Sequence, residues 1–304
     1  MDSVTVRASA TSANLGAGFD VLGLALDSPY DLIEVEKADR LSIAVRGWGA
    51  GHVPLDPKKN TAGLVALELG QPVKITIESG IRPSSGLGSS AAPAAGAAVA
   101  IDKLFSLGHS KEELIAIAAR GEVAAAGTAH ADNVAPCILG DLAIVSEGRI
   151  AHVAMPPLAI VAVLPDIVIS TRVARGILPS QVPLEEMVRN VGKASLLLAG
   201  VARGDPWLIG QSLAGSFNER YRSPLIKGHD AVCEAAISSG AYGAAISGSG
   251  PTMIALCPDG KAEAIAAAMR TAFQAAGVSS EAFITKVGKG VKILNAKHLQ
   301  VGDL

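Results

Sequence analysis

The chain has 304 residues and a formal net charge of −2, with 18% charged side chains, a balance that leaves no electrostatic footprint for nucleic acid or an anionic membrane surface. Hydrophobic residues reach 49% and aromatics only 3%, which excludes a disordered chain and makes Ala, Val, Leu and Ile the core-forming residues of about two domains. Cys137, Cys233 and Cys257 lie far apart without CxxC spacing, and so read as buried thiols in a reducing compartment rather than a disulfide frame or a zinc site.

Met1-Asp2-Ser3-Val4 shows no basic region followed by an apolar stretch, and nowhere is there a run of about 18 apolar residues, so a cytoplasmic protein is expected. Residues 4–8 alternate and predict a strand. A loop of small residues follows, from Ser9 to Asp20, with two polar anchors. Asn14 offers a donor and an acceptor, and Asp20 a carboxylate. They suit a small substrate carrying an amine or hydroxyl, and equally a turn and a helix cap. Residues 30–36 and 41–47 are further strands, expected as antiparallel neighbours. A short helix is expected over 60–69, and 73–78 alternates as a half-buried strand.

Next comes Pro83-Ser84-Ser85-Gly86-Leu87-Gly88-Ser89-Ser90-Ala91-Ala92, ahead of a small-residue helix over 94–101. Strand, glycine–serine loop and helix together aim backbone N–H groups and a helix dipole at an anion. The glycines let the backbone approach a ligand closely. Ser89 and Ser90 stand where an N-cap is expected, and each hydroxyl also suits phosphate or Mg²⁺. A glycine-rich turn with an ordinary serine cap is the other reading. Gly86 to Ala91 satisfies the GxGxxA dinucleotide fingerprint. Against that fingerprint, the connector 79–85 is too long for its tight turn, and no acidic residue ends a second strand about 20 residues on. The strands before the loop also do not open a βαβ unit.

Ser110-Lys111-Glu112-Glu113 is a capping-box start for a helix reaching about residue 126. Glu122 falls on that helix's apolar stripe, in phase with Leu114 and Ala118. A carboxylate there is costly unless paired or bound to a cation, so an ion pair and Mg²⁺ both stay open. His130-Ala131-Asp132-Asn133 places three polar side chains among small ones, with a spacing that fits no single metal geometry. Residues 141–146 and 149–153 read as a hairpin around Glu147-Gly148. Met155-Pro156-Pro157 marks the expected boundary between domains 1–155 and 156–304.

In the second half a strand over 159–164 leads to a loop, Ser170 to Pro179, whose Arg172 and Arg175 either bind an anion or lie solvated. Helices are expected over 184–204 and 207–217, then a basic–aromatic cluster, Asn218-Glu219-Arg220-Tyr221-Arg222, and a helix near 229–239. Strands at 242–246 and 252–256 flank Ser247-Gly248-Ser249-Gly250-Pro251, either a close approach to a ligand or a tight hairpin. A helix over 262–276 and a strand over 281–287 finish an α+β sandwich, with 295–304 loosely attached.

Three separated motifs resemble, in order and spacing, the three signature motifs of the GHMP small-molecule kinases, across nearly the whole chain. They are Ser12-Ala13-Asn14-Leu15-Gly16-Ala17-Gly18-Phe19-Asp20, the loop Pro83 to Ala91, and Ala245-Ile246-Ser247-Gly248-Ser249-Gly250-Pro251-Thr252. The first, together with His130-Ala131-Asp132-Asn133-Val134-Ala135-Pro136, resembles the branch of that family acting on L-homoserine. The resemblance implies an α+β, two-domain GHMP kinase fold, with a ribosomal protein S5 domain 2-like N-terminal domain and a ferredoxin-like C-terminal domain. It implies ATP-dependent phosphorylation of the L-homoserine hydroxyl to O-phospho-L-homoserine, in threonine biosynthesis, commonly by a homodimer.

Carried over residue by residue, the resemblance puts loop residues Pro83 to Ala92 around the ATP phosphates and Ser90 and Glu122 on Mg²⁺. Asn60 lies where the family contacts adenine. Homoserine is expected on Asn14, Asp20, His130, Asp132 and Gly248, with its carboxylate on Arg175 and Arg222, or on Arg220 in place of the latter. Several relatives carry a catalytic aspartate where this chain has Asn133, and an amide cannot act as a general base. Asn133 is therefore expected on the γ-phosphate and Asp20 on the attacking hydroxyl, with Asp132 a further candidate base. Ser79 replaces a lysine common near the phosphates, and Pro93 replaces an alanine in a first helical turn, where proline is tolerated. Rival readings are another GHMP kinase, acting on shikimate or a mevalonate-pathway alcohol, and a non-catalytic ATP-binding regulator of the same fold. Intact Ser90, Glu122 and Asn133 stand against the regulator.

Overall fold

The computed structural model describes residues 2–126 and 131–294. Its first half runs β1 (Ser3–Ala13), β2 (Leu22–Lys37), β3 (Ser42–Gly47), α1 (Thr61–Glu68), β4 (Val73–Ser79), α2 (Ala91–Phe105), α3 (Lys111–Gly121), α4 (Val123–Ala126), α5 (Val134–Leu139), β5 (Leu142–Ser146) and β6 (Arg149–Val153). β1 extends well past residue 8, into the motif expected to be all loop. Period-2 alternation sets the sheet: Ile33 and Val35 of β2 and Val73, Ile75 and Ile77 of β4 point inward, with Glu34, Glu36, Lys74 and Thr76 between them less buried.

β2 pairs antiparallel with β1 and β4, and β3 lies parallel to β4 on its far side. The strands over 30–36 and 41–47 are therefore not neighbours, since β4 lies between them. The physical reason is the crossover through α1, which returns the chain in the same direction and so makes a parallel pair. α2 lies across β1 and β2, with Ala94, Ala95, Ala97, Ala98 and Ile101 fully buried. Small side chains let its backbone sit close to the sheet. The Ser110 capping box forms as expected, but α3 ends at Gly121; Glu122 is its C-cap and α4 is a separate short turn.

The second half runs β7 (Ala159–Pro165), α6 (Thr171–Gly176), α7 (Leu184–Arg203), α8 (Pro206–Gln211), α9 (Phe217–Arg222), α10 (His229–Ser238), β8 (Gly243–Ile246), β9 (Met253–Cys257), α11 (Ala262–Ala275) and β10 (Ser280–Lys286). Its four strands form one antiparallel sheet in the order β10-β7-β9-β8, the ferredoxin-like arrangement. β7 is apolar throughout because both faces are covered. Val161 and Val163 join Met269 and Phe273 in one core, while Ile160 and Ala162 join Leu197, Ile209 and Leu213 in the other. Two expectations change here. The loop over 170–179 contains α6, capped by the Ser170 hydroxyl on the Val173 N–H, and the helix over 207–217 stops at Gln211. The 218–222 cluster is itself helical, in α9.

One further strand, β11 (Lys292–Leu294), returns to the first sheet and pairs with β1, which the sequence reading did not anticipate. The tail over 295–304 lies outside the described residues. No helix among the described residues is long and apolar enough to cross a membrane.

Replacing Ser110 with Ala removes the capping hydroxyl from a helix end far in sequence from the signature motifs. It is expected to lower unfolding free energy by about 1 kcal/mol with unchanged m-value in urea denaturation. A loss below a few tenths of a kcal/mol would mean that the cap contributes nothing.

Candidate active site

Asp31 occupies an inward position of β2, and its buried carboxylate accepts the N–H groups of Gly80 (2.9 Å) and Ile81 (3.0 Å). This fixes the chain's exit from β4. The loop 83–90 then turns through positive φ at Ser84, Gly86 and Gly88. A Cβ on Gly86 would lie 2.5 Å from the Ser247 carbonyl oxygen and 2.7 Å from that of Gly250. On Gly88 it would lie 2.1 Å from Thr11 Oγ1. Both glycines line the cavity, and their missing Cβ atoms also let the loop pack on the third motif and on Thr11, next to the first.

Polar contacts complete that junction. The Ser247 hydroxyl reaches the Gly86 carbonyl (2.8 Å) and Ser12 Oγ (2.9 Å). The N–H of Thr252 donates to Ser85, that of Gly248 to Ala13, and that of Thr11 to Leu87. The Gly248 carbonyl accepts from Asn14 Nδ2 (2.7 Å) and Arg222 Nη1 (3.0 Å).

A cavity of ≈ 460 Å³ lies at this junction. From the loop, Pro83, Ser84, Gly86, Gly88, Ser89 and Ser90 line it. Ser85, Leu87, Ala91 and Ala92 do not; they are buried in the protein. Asn60 reaches the cavity, but its Oδ1 caps α1 through Ala62 and Gly63 and its Nδ2 donates to Pro54. Only one amide hydrogen of Asn60 is left for a base. Asn14, Asp20, Asp132, Asn133, Arg175 and Gly248 line the same cavity, as do Glu122 and Arg222. Arg220 instead pairs with Glu186. His130 lies outside the described residues.

Ser90 makes no cap bond to α2; its hydroxyl donates to Glu122 Oε2 at 2.8 Å. The other oxygen, Oε1, is buried and has no partner among the described residues. Burial pushes the Glu122 carboxyl up to about 7, against the Ser90 bond and with help from the charge of Asp132. Burial likewise pushes Asp132 up to about 6, with Asp20 adding to the rise and Arg175 opposing it. Arg175 forms a two-pronged ion pair with Asp20, at 2.9 and 2.7 Å. Arg222 is held down to about 10 by burial and by Arg175, and both guanidiniums lie over the Phe19 ring. Among the described residues no three His, Cys, Asp or Glu side chains form a metal cluster. An orphaned carboxylate oxygen beside one hydroxyl suits a cation that takes its remaining ligands from phosphate and water, as Mg²⁺ does.

Residues 58–141 match the family described as GHMP kinases N terminal domain, and residues 197–275 match GHMP kinases C terminal. A relative named homoserine kinase, from Methanocella arvoryzae, is 68% identical over 97% of this chain and 98% of its own. The chain belongs to the GHMP kinase family. A second relative of this kinase, the homoserine kinase of Natronomonas pharaonis, is 50% identical over 95% of this chain and 99% of its own. The crystal structure of homoserine kinase from Cytophaga hutchinsonii superposes with a TM-score of 0.90 at 36% identity, covering 97% of this chain and 98% of that one.

Three residues of this GHMP kinase escaped the sequence reading. Asp31 carried the same signal as Glu122, a carboxylate at an inward position of an apolar period. Thr11 is a buried polar residue on β1, beyond residues 4–8, where the alternation that predicts a strand stops. Lys59 lines the cavity beside Asn60, and nothing in its local spacing marks it.

Glu122, Asp132 and Asp31, the last also raised to about 7 by burial, bind protons more readily in the folded chain than in the unfolded one. Between the ordinary carboxylate range and about pH 7 the folded state holds more protons, so stability of the ligand-free protein falls as pH rises through that window. Glu122→Gln is expected to raise the melting temperature at pH 8 and flatten its fall from pH 5 to pH 8. Equal destabilisation by the variant at both pH values would show that the Glu122 charge is already compensated.

Proposed function

We propose that this kinase transfers the γ-phosphoryl group of ATP to the side-chain hydroxyl of L-homoserine. The observation that carries the reading is the charge pattern of one cavity. Two guanidiniums, Arg175 and Arg222, stand with two carboxylates, Asp20 and Asp132, beside a glycine loop that opens a helix. That pattern suits the carboxylate and ammonium of an amino acid next to an anion-binding turn. The names of the relatives that match over nearly the full chain supply the particular amino acid.

In the reaction the homoserine oxygen bonds to the γ-phosphorus, the bond from that phosphorus to the β-bridging oxygen breaks to release ADP, and the hydroxyl proton passes to the Asp132 carboxylate and from there to solvent. Such a transfer needs positioning and charge neutralisation more than covalent help. Loop 83–90 and the N-terminus of α2 hold the phosphates. Ser90 and Glu122 would hold Mg²⁺, which would supply neutralisation of phosphate charge. The Asn133 amide donates to the γ-phosphate. Asn14 and the backbone at Gly248 complete the substrate wall. Arg175 is shared between Asp20 and the substrate carboxylate, and Asp20 orients the hydroxyl. Asp132, pushed up to about 6, suits a group that takes a proton near neutral pH. The same reading divides the chain at Met155-Pro156 into ATP-binding and C-terminal domains, with β11 returning to the first.

Coupled ADP-release assays with L-homoserine, shikimate and mevalonate test the proposal. Turnover is expected with L-homoserine alone, and Glu122→Ala should abolish it. Turnover with another alcohol and none with homoserine would sink the substrate assignment; no turnover with any would favour a regulator. Asp20→Asn is expected to cut kcat with unchanged ATP affinity. Full turnover in that variant beside a dead Asp132→Asn would give both roles to Asp132.

A further inference from the structure

We infer that Thr11 is a positioning residue for phosphoryl transfer: its hydroxyl sets which end of the Asn133 amide meets the phosphate cradle. The inference rests on the reading that Asn133 donates to the γ-phosphate. Thr11 is buried on β1, just after the β1–β2 register breaks between Ser9 and Thr11. Its Oγ1 lies 2.8 Å from Asn133 Oδ1, and since an amide oxygen only accepts, the hydroxyl donates its one hydrogen there.

The amide is planar, with oxygen and nitrogen on different arms of its trigonal carbon. Binding the oxygen to Thr11 therefore turns the NH₂ group away from Thr11. A reversed amide would present its oxygen lone pairs to a phosphate, a repulsive contact. Asn133 is also the N-cap residue of α5, a position where asparagine ordinarily bonds its own helix, yet its side chain makes no cap bond. Thr11 has taken the place of that local partner.

Thr11 is held by the glycine loop through its backbone, and its hydroxyl lies against Gly88. The Thr11 N–H donates to the Leu87 carbonyl at 3.0 Å. A Cβ on Gly88 would lie 2.1 Å from Thr11 Oγ1 and 3.2 Å from Asn133 Oδ1. Loop, hydroxyl and amide are thus packed against one another, and both Gly88 and Asn133 line the cavity. Thr11 itself does not line the cavity, so it acts there only through these neighbours.

Steady-state kinetics on the full chain with MgATP and L-homoserine test this, using Thr11→Val, Thr11→Ser, Asn133→Ala and the Thr11→Val/Asn133→Ala double variant. Valine keeps the shape and removes the donor. It is expected to lower kcat by about 10- to 100-fold with both KM values within about twofold. Serine restores most of the loss, and the double variant is no slower than Asn133→Ala alone. Thr11→Ala repeats the measurement if the valine variant does not fold. A collapsed Asn133→Ala beside a Thr11→Val within about twofold of wild type overturns this inference alone. So does a serine variant as slow as valine, or additive losses in the double variant. An Asn133→Ala that keeps full turnover overturns both this inference and the role given to Asn133.

Discussion

The bare Cα of Gly86 packs on the carbonyl oxygens of Ser247 and Gly250, with the Ser247 hydroxyl bridging the Gly86 carbonyl and Ser12. This contact joins a loop of the first sheet to a turn of the second at van der Waals distance, and any side chain at residue 86 would force the two apart. Much else in the cavity takes its position from it. Asn14 and Arg222 converge on the carbonyl of Gly248, in that same turn, so the residues assigned to the substrate are placed relative to those assigned to the phosphates. The three motifs are glycine- and serine-rich because they pack on one another as well as around a ligand.

Charge at the site is balanced incompletely in the free protein. Asp20 and Arg175 satisfy each other, and the Phe19 ring lies under both Arg175 and Arg222, offsetting part of the cost of two neighbouring cations. Glu122 is different. Among the described residues its buried carboxylate has one hydroxyl partner and one oxygen without any, an arrangement that costs stability unless a proton or cation is bound. On the proposed reading a bound cation completes it, so that stability given up in the free protein is recovered on binding.

Local signals were legible from sequence. The capping box at Ser110, the alternation of residues 73–78 and the misplaced carboxylate of Glu122 each rest on short-range periodicity that tertiary packing did not override. Order in three dimensions was not. Alternation marks β3 and β4 as strands but says nothing of which strand lies beside which, and only the α1 crossover explains their parallel pairing. β11 is three residues long and is made by its partner β1, so no local pattern announces it. Arg175 was legible as a cation, but its helix was not, because α6 is a single capped turn or so. Asn60 was legible as the start of a helix, whereas its place in the cavity wall emerges only from the fold.

The most direct measurement is a crystal structure of the kinase with Mg²⁺, a non-hydrolysable ATP analogue and L-homoserine. The account predicts Mg²⁺ at about 2.0–2.1 Å from Ser90 Oγ and a Glu122 oxygen. It also predicts the γ-phosphate against the Asn133 amide nitrogen and the homoserine carboxylate on Arg175 and Arg222. A metal held away from Glu122, or a substrate carboxylate bound elsewhere, would contradict it.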